Sequence, residues 1–191
     1  DLAVGLELEL YSTQENQYIE TFLPQMGYII SNLPFVQQED IRKLNPKIKS
    51  KVNSKISNIL NKEVEINSRA DLYAYLPFIL WQLLEDDGKL AIITSNSWLA
   101  TDWGTQFYEL LNEFYNIDYV IASNNGRWFS NAEVVTTIMV LQKRSLEAIK
   151  SGSRDDSEIT KYILLNEKIE DIATNDDGKI DYNALNVLST N

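Results

Sequence analysis

The stretch Tyr28-Ile29-Ile30-Ser31-Asn32-Leu33-Pro34-Phe35 decides the fold that we predict for this chain. Its first half is an apolar run rich in isoleucine, typical of a central parallel strand that is buried on both faces. Pro34 cannot donate a hydrogen bond to a neighbouring strand, and it biases Leu33 toward an extended conformation. The strand should therefore end here and present an amide, a backbone carbonyl and an aromatic ring together. In open α/β sheets, ligands bind at the edge formed by the carboxyl ends of the strands.

Further apolar runs predict strands at residues 89–94, 117–121 and 134–141, and amphipathic patterns predict helices that begin near Asn45-Pro46 and at Asp102. No helix fits between the last two strands, so they should be antiparallel neighbours. This order indicates an α/β fold with a three-layer arrangement. We expect a mostly parallel sheet with one antiparallel strand near its end. Residues 11–26 are interpreted as a loop or a short helix.

Two predicted strands end in the same dipeptide. Ser31-Asn32 closes the first strand, and Ser95-Asn96 follows the strand at 89–94. Because parallel strands present their carboxyl ends at one edge, Asn32 and Asn96 should lie on the same side of the sheet. In the simplest interpretation, these side chains only satisfy backbone groups at the strand ends.

Composition limits the chemistry that is available. The 191 residues are 44% hydrophobic, which suits one domain with a sizeable core, and they include no His and no Cys. Ser-His-Asp and Cys-His catalysis and a Cys/His zinc site are therefore excluded, and we expect no metal. No run approaches the ~18 apolar residues that span a bilayer. We expect a cytoplasmic protein that does not enter a membrane.

Charge is distributed unevenly along the chain. The net charge of −11 argues against nucleic-acid binding by the entire surface, yet residues 42–62 contain seven basic residues and no acidic one. The lysines of this segment lie on a predicted helix, either as a solvated face or as contacts to phosphates. Lys47, Lys51 and Lys55 are the candidates for phosphate contact. Residues 146–191 are acidic instead, so we divide the chain into a domain at 1–145 and an acidic tail or linker at 146–191.

The segment Asn32-Leu33-Pro34-Phe35 resembles the Asn-Pro-Pro-Tyr/Phe motif of amino-methyltransferases that use S-adenosyl-L-methionine. Three further segments follow in register, Asp71-Leu72-Tyr73-Ala74-Tyr75, residues 83–99 and residues 129–141. Together, over about residues 20–145, they resemble the second half of DNA N6-adenine methyltransferase domains in bacterial restriction-modification enzymes. The resemblance implies a Rossmann-like methyltransferase sheet. It also implies double-stranded DNA as a partner, and restriction or specificity modules in the same polypeptide or complex.

The resemblance implies a role for each residue of the motif. The Asn32 side-chain oxygen and the Leu33 carbonyl would accept the hydrogens of the adenine amine, which frees its lone pair to attack the sulfonium methyl of the cofactor. Phe35 would stack on a base flipped out of the duplex, and Pro34 would hold the motif extended. Lys47, Lys51, Lys55 and Asn96 would contact the DNA.

Two features depart from the family pattern. Leu33 stands where the family has Pro, and none of the seven glycines forms the Gly-x-Gly loop that holds the cofactor. Cofactor-binding residues therefore remain unassigned, and we expect upstream sequence to supply that pocket and this segment alone to be inactive. Two alternatives stay open: a methyltransferase acting on the N5 of protein glutamine, or a non-catalytic DNA-binding or assembly module derived from such an enzyme.

Overall fold

A computed structural model describes residues 6–44, 46–128, 134–154 and 159–167, together with residues 177 and 179. A separate antiparallel hairpin comes first, formed by β1 (Leu6–Ser12) and β2 (Gln17–Leu23), with Ser12 opposite Gln17. The prediction of a loop or short helix at 11–26 is therefore wrong. The polar residues of that stretch occupy only the tip of the hairpin, and Tyr18 and Ile19 beyond it favour a strand.

Within the described ranges, the main sheet has five strands in the order β3-β4-β6-β5-β7. Its members are β3 (Met26–Asn32), β4 (Leu84–Ser95), β5 (Tyr115–Ser123), β6 (Thr136–Lys143) and β7 (Lys161–Leu165). The prediction that β5 and β6 are antiparallel neighbours is confirmed. The prediction of a mostly parallel sheet is wrong, because β6 lies inside the sheet and pairs antiparallel with both β4 and β5. The other two pairings, β3 with β4 and β5 with β7, are parallel, so the sheet is mixed.

Five helices accompany the sheet in the described part of the chain. They are α1 (Gln38–Leu44), α2 (Ile48–Leu60), α3 (Leu76–Leu80), α4 (Asp102–Phe114) and α5 (Leu146–Ser151). Single 3-10 turns lie at Leu72–Ala74, Trp81–Leu83 and Asn96–Ala100. The helix predicted from Asn45-Pro46 starts at Ile48, and Asn45 itself lies outside the described residues. None of the described helices has the length and apolar character needed to cross a bilayer.

The helices bury their apolar side chains against one face of the sheet. Leu90 and Ile92 of β4 stand opposite Leu141 and Met139 of β6, and all four are buried in one cluster with residues from the helices. On the opposite face of the sheet, Tyr28 is 78% and Ile30 is 87% exposed.

This one-sided packing corrects two expectations. The strand at 28–32 is not covered on both faces, and the described helices form one layer on the sheet, so they do not build the third layer of the predicted fold. An isoleucine-rich run has the same sequence pattern whether or not a second layer covers it. The boundary that we predicted at residue 145 stays a prediction.

Candidate active site at the ends of two parallel strands

The residues Asn32 to Phe35 lie where β3 leaves the sheet. Asn32 is the last residue of the strand and its side chain is exposed. Leu33 is buried to 3% exposure, and its N–H donates to the carbonyl of Ile93 at 3.2 Å, so pairing with β4 extends one residue past the strand. Pro34 has no N–H to continue the pairing. It is exposed, and the Phe35 ring after it is half-buried.

Two oxygen acceptors are available at this strand end. No residue that the structure describes donates a hydrogen bond to the Asn32 side-chain oxygen or to the Leu33 carbonyl. An exposed amide oxygen and a carbonyl without a described donor can each accept a hydrogen bond from a ligand.

The neighbouring strand places Asn96 at the same edge. In the parallel pairing, Asn32 lies opposite Ile93, and β4 ends two residues beyond that point at Ser95. Asn96 begins the following 3-10 turn, where its N–H donates to the carbonyl of Val135 at 2.9 Å. The two asparagines therefore lie at adjacent strand ends, as the sequence indicated, while their roles stay predictions.

A short segment, Asp71-Leu72-Tyr73, ties the chain after Phe35 to this edge. The Leu72 N–H donates to the carbonyl of Val36 at 3.0 Å, and the Tyr73 hydroxyl lies 3.0 Å from the Ser97 Oγ. In the sequence, this segment resembles the family but carries no predicted role. Two features of the sequence could have indicated a role: the segment follows Asn32–Phe35 in register with the family pattern, and it contains the aromatic residue Tyr73.

The carboxyl group of Asp71 faces the start of α1. Burial raises the pKa of Asp71 above its ordinary value, while a hydrogen bond from the Gln38 backbone N–H opposes that rise. The nearby Glu39 carboxylate also raises this pKa, and the Lys49 ammonium lowers it. Asp71 is thus a second connection between this segment and the chain that follows Phe35.

The three predicted DNA-contacting lysines do not share one surface. Lys47 and Lys51 are exposed, whereas Lys55 is half-buried and donates to the Gln82 Oε1. Burial lowers the pKa of Lys55, as expected for an ammonium that is partly removed from water. In an α-helix, each step of four residues overshoots a full turn by ~40°, so a lysine eight residues along has turned toward the core.

A cavity of about 600 Å³ lies between α1, α2 and the chain at residues 65–75. Its lining includes Glu39, Lys49, Glu65 and the hydroxyl-bearing ring of Tyr75. The Lys49 Nζ reaches the carbonyl of Ser68 at 3.0 Å and lies 5.6 Å from the centre of the Tyr75 ring. The wall therefore carries both signs of charge, which gives it no clear preference for an anion.

The described glycines do not form a cradle for a cofactor. A Cβ on Gly104 would lie 1.6 Å from the Trp98 carbonyl oxygen, and one on Gly88 would lie 2.8 Å from the Glu85 carbonyl oxygen. These two glycines therefore pack against the protein's own backbone. Gly126 and Gly152 have positive φ angles, and a Cβ added at either position would have no other atom within 4 Å. The glycines in the described part of the chain thus do not fit the amino-acid end of S-adenosyl-L-methionine.

Two solved structures share this architecture. A type I restriction-modification system methyltransferase subunit from Streptococcus thermophilus matches with 16% identity and a TM-score of 0.50, covering 86% of this chain and 31% of that one. A nuclease-deletion mutant of the Type ISP restriction-modification enzyme LlaGI, in complex with a DNA substrate mimic, matches with 15% identity and a TM-score of 0.50. That match covers 86% of this chain and 19% of the other. At these identities the likeness shows the fold alone, and the chain spans less than a third of either protein.

The family model described as Eco57I restriction-modification methylase matches residues 7–129. The match includes β3, the Asn32–Phe35 segment, the lysine-bearing helix α2 and the two adjacent strand ends. Because it extends over more than half of the sequence, the chain belongs to the Eco57I restriction-modification methylase family.

Proposed function

We propose that this chain carries the target-base side of a DNA methyltransferase that modifies the exocyclic N6 of adenine in a restriction-modification system. One observation carries the proposal: the exposed Asn32 amide and the Leu33 carbonyl belong to consecutive residues at the carboxyl end of β3. No described residue donates to either oxygen. Membership of the restriction-modification methylase family supports DNA as the substrate.

The two oxygens suit the chemistry of an aromatic amine. The lone pair of the adenine N6 is delocalised into the ring, so the amine is planar and a poor nucleophile. Hydrogen bonds from its two N–H groups to the Asn32 Oδ1 and the Leu33 carbonyl favour a tetrahedral nitrogen, which localises the lone pair. Neither acceptor is titratable, so the proton that the N6 must lose after it takes the methyl group passes to solvent.

Phe35 supplies a surface for the base itself. Its ring is half-buried, so the protein holds one part of it and leaves the remainder accessible. Stacking of a base on an aromatic ring contributes ~1–3 kcal/mol. That contribution offsets part of the few kcal/mol needed to extract a base from the duplex.

Leu33 keeps the motif ordered without the proline that the family pattern has there. Its N–H donates to the Ile93 carbonyl at 3.2 Å, a hydrogen bond that a proline cannot make, and its side chain is buried in the core. The pairing and the packing fix the backbone of Leu33, and therefore the position of its carbonyl. This residue is consequently compatible with an active enzyme.

The methyl donor implied by the family is S-adenosyl-L-methionine. Since the described glycines pack against protein backbone, lie in open turns or, for Gly27, lie within β3, we place its site outside the described residues and assign no residue of this chain to it. Exposed Lys47, which directly precedes α2, and exposed Lys51 on α2 are the proposed contacts to the DNA phosphates.

The test uses the complete natural polypeptide that carries this sequence, radiolabelled methyl donor and duplex DNA, with the product nucleoside identified by mass spectrometry. Asn32→Ala should lower methyl transfer by about 10²–10³-fold, the scale found when one oriented hydrogen-bonding group is removed from an active site. Asn58→Ala, a matched change of an exposed asparagine on α2, should leave transfer unchanged. Circular dichroism establishes that both variants are folded.

The outcomes separate the alternatives. Undiminished transfer by Asn32→Ala would contradict the role of Asn32. A wild-type protein that binds DNA but forms no N6-methyladenine would indicate the non-catalytic module, and methylated glutamine in a protein substrate would indicate the other enzyme class.

A further inference from the structure

Tyr73 is a fully buried tyrosine beside the proposed base site. Its ring lies 6.1 Å from the ring of Trp103 and 6.2 Å from that of Phe107, measured between centroids, and none of its surface is exposed. A buried hydroxyl needs a hydrogen-bond partner, and here the Ser97 Oγ lies 3.0 Å away, while the Ser95 side chain is a second partner. Burial also raises the pKa of Tyr73, so its hydroxyl stays protonated near neutral pH.

One side of Tyr73 is joined to the chain that carries Phe35. The residue before it, Leu72, donates its N–H to the carbonyl of Val36 at 3.0 Å. Val36 directly follows Phe35. The hydrogen bond therefore ties the position of the Phe35 ring to that of the 3-10 turn that contains Tyr73.

The Tyr73 hydroxyl itself reaches the other strand end. Ser97 follows Asn96 in the turn after β4, and its N–H donates to the Ser95 Oγ at 3.1 Å. The hydrogen bond between Tyr73 and Ser97 therefore connects the Phe35 segment with the Asn96 turn. Leu33 pairs with Ile93 on the sheet side, so this bond is a second connection between the same two segments.

We propose that Tyr73 is a positioning residue that sets the separation between the Phe35 segment and the Asn96 turn, and so controls admission of the extrahelical adenine. The inference rests on the proposed function and deepens it. Tyr73 acts through Val36 and Ser97 and does not touch the base. Loss of its hydroxyl should therefore weaken base capture more than the chemical step that follows.

Tyr73→Phe removes one oxygen and keeps the ring against Trp103 and Phe107. The complete natural polypeptide is mixed with a duplex in which 2-aminopurine replaces the adenine that it methylates, and the rise in fluorescence reports the extrahelical base. We expect the equilibrium for the extrahelical state to fall by about 5- to 10-fold, the usual worth of one hydrogen bond. KM should rise by a similar factor while kcat changes less.

Two further variants make the test specific. Ser97→Ala deletes the other end of the hydrogen bond, and its effect should not add to that of Tyr73→Phe, because the two changes remove the same interaction. Tyr108→Phe is the matched control, since that hydroxyl contacts the Thr160 Oγ1 at 3.3 Å instead of the strand ends. If Tyr73→Phe does not fold, Ser97→Ala alone carries the test.

The inference and the proposed function fail in different ways. A wild-type protein that extracts and methylates adenine, with Tyr73→Phe and Ser97→Ala doing both equally well, overturns the role of Tyr73 only. Additive effects of the two changes overturn it as well. A wild-type protein that neither extracts nor methylates adenine overturns the proposed function, and this inference with it.

Discussion

The Lys55 ammonium donates a hydrogen bond to the Gln82 Oε1, although Lys51 lies one turn earlier on the same helix and is exposed. Gln82 is itself buried to 5% exposure, so the contact holds Lys55 against the body of the protein. Lysines with the same sequence spacing on α2 consequently have different environments.

This difference predicts separate effects for Lys47, Lys51 and Lys55 on DNA binding. Lys47→Gln and Lys51→Gln should each reduce by about one the slope of log affinity for DNA against log salt concentration, as expected for a lost phosphate contact. Lys55→Gln should leave the slope unchanged, because its ammonium is engaged by Gln82. Fluorescence anisotropy over a series of salt concentrations measures all three. A reduced slope for Lys55→Gln would mean that Lys55 turns outward when DNA binds.

Gly104→Ala should be strongly destabilising. The added methyl carbon would lie 1.6 Å from the Trp98 carbonyl oxygen, so the 3-10 turn and α4 would have to move apart. We expect the free energy of unfolding to fall by about 3 kcal/mol or more, at or beyond the upper end for overpacked sites. Chemical denaturation measures it.

Gly27→Ala is the matched control for that change. A Cβ at Gly27 meets its nearest atom, the Glu85 Oε2, at 3.6 Å, which is ordinary contact. Gly27→Ala should change the free energy of unfolding by no more than about 0.5 kcal/mol. Equal losses in the two alanine variants would contradict the close contact between Gly104 and Trp98.

Arg144→Met should also destabilise the fold. Arg144 is buried, and its guanidinium donates to two carbonyls in the last turn of α4, those of Asn112 at 3.1 Å and Glu113 at 2.8 Å. It also donates to the carbonyls of Ala148 and Ser153. Each buried acceptor left without a donor costs about 1–3 kcal/mol. Thermal and chemical unfolding should therefore show a loss well above that of an average surface substitution.

The control for Arg144 is Arg154→Met. The Arg154 side chain is 53% exposed and lies 3.7 Å from the Glu113 carboxylate. An exposed pair of this kind contributes about 0–1 kcal/mol. A loss for Arg144→Met no larger than that for Arg154→Met would show that the four carbonyls find other partners.

Tyr75 should make the protein sensitive to alkaline pH. Burial, with a smaller contribution from Glu65, raises the pKa of Tyr75 from 10.0 to about 12. The folded state therefore binds this proton more tightly than the unfolded state does. Its contribution to stability is complete below pH 10 and is lost as the pH rises through about 12.

Tyr75→Phe removes that proton and isolates its effect. The difference in unfolding free energy between wild type and variant should move in favour of the variant as the pH rises from about 9 to about 11. Chemical denaturation of wild type and Tyr75→Phe at both pH values measures this difference. A constant difference would contradict the raised pKa.

Sequence alone determined the parts of this protein that depend on local chemistry. Pro34 ends β3 because proline lacks an N–H, and the apolar spacing of α2 places Val52, Ile56 and Ile59 in the core. Asn32 and Asn96 lie at neighbouring strand ends because parallel strands present their carboxyl ends together. The Asn32–Phe35 segment, together with three further segments that follow it in register, indicated the family.

Only the tertiary structure decided which distant segments meet. Three features join residues that are far apart in the chain: the position of β6 between β4 and β5, the contact of Lys55 with Gln82, and the contact between Tyr73 and Ser97. The exposed face of β3 also depends on the tertiary structure, because no described helix covers it. Side-chain periodicity shows which residues share a face of one element, and it does not specify the partner that covers that face. Asn32 and Leu33 were therefore identifiable as candidate acceptors from sequence, whereas the connection between the Phe35 segment and the Asn96 turn became visible only in the folded chain.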